Sequence, residues 1–463
     1  MRQKSELRPY QQRIATHLYE HDEALCVVRP GGGKTAATLT AFEELFKAGE
    51  IRHALVVAPK RVAQHVWPNE IDEWAHTKDL RYAMLTGMPP QREMILNCMA
   101  SRSMPDLTII GLDLVIWLLD RLNPFPDNHS IFDLLIIDEI SKLRDPTGQR
   151  AKILAKHAHR WKMVWGLSGT LRPNSSQDLF MPARVVTRGK LWGKSFYQWR
   201  QQNFYPADFK GYQWKPLPGA EDRLNAEIAP SIVTLREDEY PQIPELSVII
   251  DRVELPERAR RVYDDMHRRL MTAIATEHVV AANAAVATGK LAQIANGFIY
   301  NEKKAAVAVH DEKRDWLADV IENASGPTLL IYEFVEDLKL MRETVGGDLP
   351  YLGDGVSDAA GKQTIADWNA GKLPFLALHP AAGGHGLNLQ AGGCDMAWMA
   401  PTWSPELWEQ TLARLHRPGQ TKPVIVRVCV AERTVDQMKM DRSKDKMVAQ
   451  KAFERYLAAY KTA

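Results

Sequence analysis

Short, uninterrupted apolar runs recur along the first part of the chain, separated by helix-like segments. They are Ala24–Val28, Ala54–Ala58, Leu107–Gly111, Leu134–Ile137 and Met163–Leu167. Continuous apolarity fits strands covered on both faces, and strands alternating with amphipathic helices fit a parallel sheet. A second set, Thr328–Tyr332, Phe375–His379, Asp395–Met399 and Val424–Val430, predicts a second such sheet. Between the sets few buried-strand runs occur. Glu257–Thr276 there predicts one long helix and Glu277–Gln293 another, and the tail Thr434–Lys461 predicts a helix rich in Lys and Arg. The expected organisation is α/β: a first lobe over 1–183, a mainly helical insertion over 184–300, a second lobe over 301–436 and a basic helix over 437–463.

Composition changes this picture only at a few points. A chain of 463 residues is long enough for two or three cores. With 45% hydrophobic and 25% charged residues it has the balance of a globular protein. No apolar run reaches the roughly 18 residues a membrane helix needs, and Met1–Arg8 lacks the apolar stretch of a secretory signal. Cys26, Cys98, Cys394 and Cys429 are too widely spaced to suggest a zinc pair, and a reducing, cytoplasmic setting is expected. Cys26 and Cys429 sit in strand runs and read as core residues.

A net charge of +2 leaves the question of a polyanionic partner to local clustering. Between Arg184 and Lys215 basic residues interleave with aromatic ones, and Lys190, Lys194 and Arg200 are candidate phosphate contacts. The alternative is that the aromatics form the core of a small subdomain and the charges its wet face. Both readings stand on sequence.

The first strand runs directly into Arg29-Pro30-Gly31-Gly32-Gly33-Lys34-Thr35, followed by a helix-compatible stretch. Gly31, Gly32 and Gly33 let backbone N–H groups turn toward phosphate oxygens, and the helix N-terminus adds its positive end. Lys34 is placed to reach the β- and γ-phosphates of ATP and Thr35 to hold Mg²⁺. The strict pattern has a glycine where Val28 stands. The strand Leu134–Ile137 ends in Asp138-Glu139, which suits Asp138 to the metal and Glu139 to activation of the attacking water. Further on, Arg414 and Arg417 lie three apart. On a helix they would share a face and offer two guanidinium groups to the charge of a phosphoryl transition state.

Together these motifs resemble the Swi/Snf-like branch of the superfamily-two helicases, over nearly the whole chain. Leu7-Arg8-Pro9-Tyr10-Gln11 resembles the adenine-reading segment, with Gln11 as reader. Val57-Ala58-Pro59-Lys60, followed by Trp67 and Trp74, resembles the motif that contacts the DNA backbone, which implies Lys60 in that role. Leu167-Ser168-Gly169-Thr170 resembles the motif coupling ATP to nucleic acid, implying a contact at Thr170. Leu291–Gly297 resembles a stretch before the second lobe, and Ala382–Leu389 the fifth motif, implying Gly384 at the nucleic acid and Gly386 at the nucleotide. Gln410, Arg414, Arg417, Gly419 and Gln420 match the sixth. Ser141 departs from the family's histidine and Leu171 from its usual proline.

The resemblance implies two RecA-like lobes, ATP with Mg²⁺, and double-stranded DNA as the track. The chain is similar to the compact members of bacteria and their phages, a bare monomeric motor working in the nucleoid or host cytoplasm with any loading partner unspecified. A strand-separating DNA or RNA helicase is the nearest alternative. A P-loop kinase and a non-enzymatic binding module fit less well, because the two lobes and the full residue set speak against them.

Overall fold

The structure is a computed structural model that describes residues 1–60, 62–101, 104–122, 131–172, 175–208, 213–235, 239–240, 242–276, 281–381 and 387–441; of these, the side chains of 98–101, 270–276, 281–285 and 287 are left undescribed. The chain forms two compact units, one built on Met1–Pro241 and one on Gln242–Gly383 with Leu387–Met447.

The strands in chain order begin with β1 (Glu23–Val27), β2 (Ala54–Ala58), β3 (Tyr82–Leu85), β4 (Leu107–Gly111), β5 (Leu134–Asp138) and β6 (Met163–Ser168). A small hairpin, β7 (Phe204–Pro206) with β8 (Trp214–Pro216), and β9 (Ile232–Thr234) complete the first unit. Its sheet has the order β3-β4-β2-β5-β6-β1-β9. Every pairing in it is parallel. The C-terminal ends of all seven strands therefore share one edge, where α/β proteins place their ligands. β2 and β4 are buried at every position, as expected for strands covered on both faces. Each fully buried Val, Leu or Ile there is worth roughly 1.5–3 kcal/mol.

The helices that position the site are α1 (Pro9–Glu20), α2 (Lys34–Lys47) and α3 (Trp67–Glu73). Pro9 opens α1 at its first turn, where its missing N–H has no partner to lose. α2 buries Ala37, Leu39, Ala41, Phe42 and Leu45 against the sheet, and Gly49, at φ +75°, follows its end.

The second unit contains β10 (Leu246–Val253), the hairpin β11 (Phe298–Tyr300) with β12 (Ala306–Ala308), β13 (Thr328–Ile331), β14 (Tyr351–Leu352), β15 (Phe375–Leu378), β16 (Asp395–Trp398) and β17 (Val424–Ala431). Its sheet runs β10-β17-β16-β13-β15-β14, again parallel throughout. Two parallel sheets with intervening helices are the α/β class expected from the apolar runs.

Residues 184–300, expected as one mainly helical insertion, are divided between the units. β9 hydrogen-bonds to β1 and so belongs to the first sheet, whereas β10 pairs with β17 along its full length. Helices Glu257–Thr276 and Ala281–Ala295 follow β10, close to the expected spans. Of the tail helix, residues 435–441 are helical and 442–463 lie outside the described residues. No helix among the described residues is long and apolar enough to cross a membrane.

Candidate nucleotide site

β1 ends at Val27, four residues before Gly31. Val28 N–H still donates to Ser168 carbonyl of β6 at 3.0 Å, so the turn leaves the sheet edge with a fixed direction. Gly31 and Gly33 take left-handed backbone at φ +82° and +70°. A side chain on Gly33 would also collide with the Gln11 amide, and one on Gly32 with Val28 Cγ1. Lys34 Nζ donates to Val28 carbonyl at 2.7 Å, folding the ammonium across the turn. The N-terminus of α2, the bare glycine backbone and the inward ammonium are the chemistry a polyphosphate needs, and Thr35 follows in the first turn of α2. Gln11 Oε1 accepts from Arg8 N–H at 3.0 Å, while its Nε2 donates to Gly33 carbonyl at 3.4 Å. The glutamine expected to read adenine thus also fastens α1 to the phosphate turn.

Asp138 closes β5, and Glu139 follows it at φ +61°, a left-handed conformation rare for a residue with a side chain. That turn points Glu139 inward, where it is 5% exposed. Ser141 Oγ donates to Glu139 Oε1 at 2.8 Å. Ser168 Oγ lies 2.8 Å from the same oxygen and 2.7 Å from Thr170 carbonyl, so one hydroxyl proton is shared between two acceptors. Thr170 N–H donates back to Ser168 Oγ at 3.3 Å. Ser141, the departure from the family histidine, therefore supplies a donor to the expected base. Leu171, the departure from proline, is fully buried in the core beside Leu179 and Phe180. Asp138 Oδ2 accepts from the indole N–H of Trp67 at 2.9 Å.

In the second unit the helix Pro405–Leu412 stops before the two arginines. The expected helical face is not what groups them. Arg417 precedes Pro418, which disfavours helical backbone, and Gly419 turns the chain at φ +99°. Arg414 and Arg417 instead converge through hydrogen bonds, each donating from Nη1 to Leu387 carbonyl at 3.4 Å. Burial, with the neighbouring Arg417 charge second, pushes the Arg414 guanidinium down to about 9. Gln420 Nε2 donates to Gln390 and Gly393 carbonyls at 3.2 and 3.1 Å, pinning the chain just after the fifth motif to the sixth. Gly384 and Gly386 lie outside the described residues.

The candidate nucleic-acid contacts are scattered in character. Lys60 is exposed just past β2, whereas Thr170 is buried at 5% exposure. Lys190 pairs with Glu23 at 2.7 Å, and Arg188 joins the same carboxylate at 2.6 Å. Arg200 lies over the Trp214 ring at 4.0 Å. Lys194 is exposed at the mouth of a cavity of about 450 Å³ whose wall includes Trp192, Trp199, Arg223 and Glu227. Phe180, Trp192, Phe196, Trp199 and Phe204 pack ring on ring against the first unit's core. Trp192, Phe196, Trp199 and Phe204 are thus part of a core, whereas Tyr197 and Tyr205 are exposed and Phe209 and Tyr212 lie outside the described residues.

The SNF2-related domain matches residues 10–304. The chain belongs to that family. Over 96% of both chains it is 34% identical to "Putative protein p41" of Acyrthosiphon pisum secondary endosymbiont phage 1. It is 24% identical to "Probable ATP-dependent DNA helicase CHR12" of Arabidopsis thaliana over 90% of this chain, and it spans 39% of that longer relative. The Sulfolobus solfataricus SWI2/SNF2 ATPase core in complex with dsDNA aligns over 98% of this chain and 95% of its own, at 20% identity and a TM-score of 0.45. The protein is accordingly a SNF2-family, helicase-like ATPase, and the family uses ATP, normally with Mg²⁺.

Three features of this SNF2-related chain had no signal in its letters. Ser141 and Ser168 meet on one carboxylate oxygen. Trp67 reaches a carboxylate 71 residues away. Tyr240 brings its ring 4.9 Å from the Arg29 guanidinium, and its hydroxyl accepts from Arg29 N–H at 3.3 Å. Each is a side-chain contact between segments remote in sequence, which periodicity does not encode.

Proposed function

We propose that this SNF2-family protein hydrolyses ATP to move along double-stranded DNA. Lys34 and the glycine turn hold the phosphates, and Thr35 and Asp138 hold Mg²⁺, which lends its positive charge to the phosphates when bound. Glu139 takes the proton of the attacking water, and Gln11 reads the base. Arg414 and Arg417 stabilise charge developing in the transition state, an effect typically worth about 10³–10⁵ in rate. The observation that carries this reading is the chain from Glu139 Oε1 through Ser168 Oγ to Thr170. It joins the expected base to the segment expected to couple ATP to nucleic acid.

Moving along a duplex requires a grip on phosphates rather than on bases, and the exposed Lys60 suits that. The plant relative named "Probable ATP-dependent DNA helicase CHR12" supports DNA as the polymer. Steady-state ATP hydrolysis without polymer, and with duplex DNA, single-stranded DNA or RNA, tests the reading. Duplex DNA should stimulate hydrolysis most; stimulation by RNA alone would overturn the choice of track.

A further inference from the structure

We infer that Trp67 is a positioning residue for the Asp138 carboxylate, tying the metal-holding acid to the segment that carries Lys60. The inference rests on the proposed role of Asp138. Trp67 is fully buried, and a buried indole N–H needs an acceptor. The acceptor it takes, at 2.9 Å, is Asp138 Oδ2. Backbone topology makes the meeting possible: β2 and β5 are hydrogen-bonded neighbours in register from Ala54↔Leu134 to Val57↔Ile137. The chain that leaves β2 therefore passes beside the end of β5.

The route between Lys60 and Trp67 is unusual. Val62–Val66 form a turn of π-helix, wider than an α-turn, and α3 begins at Trp67. Such turns are frequent at functional sites because one extra residue re-aims the side chains that follow. Here the side chain that follows is the indole on Asp138.

A neutral donor on one carboxylate oxygen limits rotation of the group and leaves its negative charge in place. Mg²⁺ demands near-ideal octahedral geometry, so a fixed carboxylate matters more for it than for a more tolerant ion. Hydrogen-bond partners of metal-holding groups typically contribute about 10–100-fold to metal affinity. A residue serving only to fill the core beside Val62, Ala63 and Ile71 would need the ring of Trp67 and not its N–H.

The test separates ring from donor. Trp67 is replaced by benzothienylalanine, which keeps the bicyclic shape and exchanges N–H for sulfur, and W67F and D138N are made alongside. Binding of methylanthraniloyl-ADP is measured in EDTA and across a Mg²⁺ titration. The benzothienyl protein should match wild type in EDTA within about twofold, while its Mg²⁺ half-saturation rises about tenfold. In the wild-type protein the indole N–H resonance that W67F removes should move when Mg²⁺ is added with ADP. Unchanged Mg²⁺ half-saturation in both Trp67 variants, with a shifted one in D138N, would overturn the inference and leave Trp67 a core residue. Equal losses with and without Mg²⁺ would overturn it as well. Unchanged Mg²⁺ dependence in D138N would instead remove the role of Asp138 on which the inference stands.

Discussion

Removing the Ser168 hydroxyl and removing the Ser141 hydroxyl should have separable consequences. Both lie 2.8 Å from Glu139 Oε1, so each alanine variant takes away one donor to that buried oxygen. A hydrogen bond to a charged group contributes about 1.5–3 kcal/mol net. With the other serine hydroxyl still in place, each variant should lose about 1–2 kcal/mol, which lowers basal hydrolysis roughly 5- to 30-fold. The variants part company at Thr170. The Ser168 hydroxyl also contacts Thr170 carbonyl at 2.7 Å, and the Ser141 hydroxyl supplies its donor without that tie. S141A should keep the ratio of DNA-stimulated to basal hydrolysis, and S168A should lose most of it. Steady-state rates with and without duplex DNA, on variants with matched melting temperatures, decide the matter. Equal ratios in the two variants would refute the assignment of coupling to Ser168.

Other expectations follow from the same geometry. E139Q should bind ATP with near wild-type affinity and hydrolyse it at least about 100-fold more slowly, as single-turnover kinetics would show, because only proton acceptance is lost. K313M should destabilise the second unit by about 3–5 kcal/mol in urea unfolding, since Lys313 and Asp436 form a 2.6 Å pair with both side chains fully buried and the variant strands the carboxylate. Asp337 is pushed up to about 6, chiefly by burial. Its folded pKa lies above the unfolded value, so its contribution to stability is full below about pH 4 and is lost as pH rises through about 6. D337N should flatten that part of the stability profile, measured by denaturant unfolding at each pH.

The placement of the glycine turn and of Asp138-Glu139 was legible because the buried apolar runs Ala24–Val28 and Leu134–Ile137 lead into them, so apolar run and motif reinforce one another. β10 was not, because as an edge strand it is half-exposed along most of its length and shows no buried run. β9 and β14, at three and two residues, are too short to read. The spacing of Arg414 and Arg417 suggested a shared helical face, yet the helix ends at Leu412, before either arginine, and the Leu387 carbonyl gathers the two groups. For Lys190 and Arg200, composition carried the charge and the aromatics but not their partners. Glu23 and Trp214 take them up through contacts that depend on the tertiary fold.

The proposed function requires ATP-driven movement along intact duplex. Displacement of a third strand from a triplex, set beside unwinding of a forked duplex and repeated with E139Q, addresses it most directly. Movement on intact duplex predicts ATP-dependent triplex displacement by the wild-type protein, none by E139Q, and little separation of the fork. Efficient unwinding of long forked duplex with no triplex displacement would contradict it and establish the strand-separating alternative.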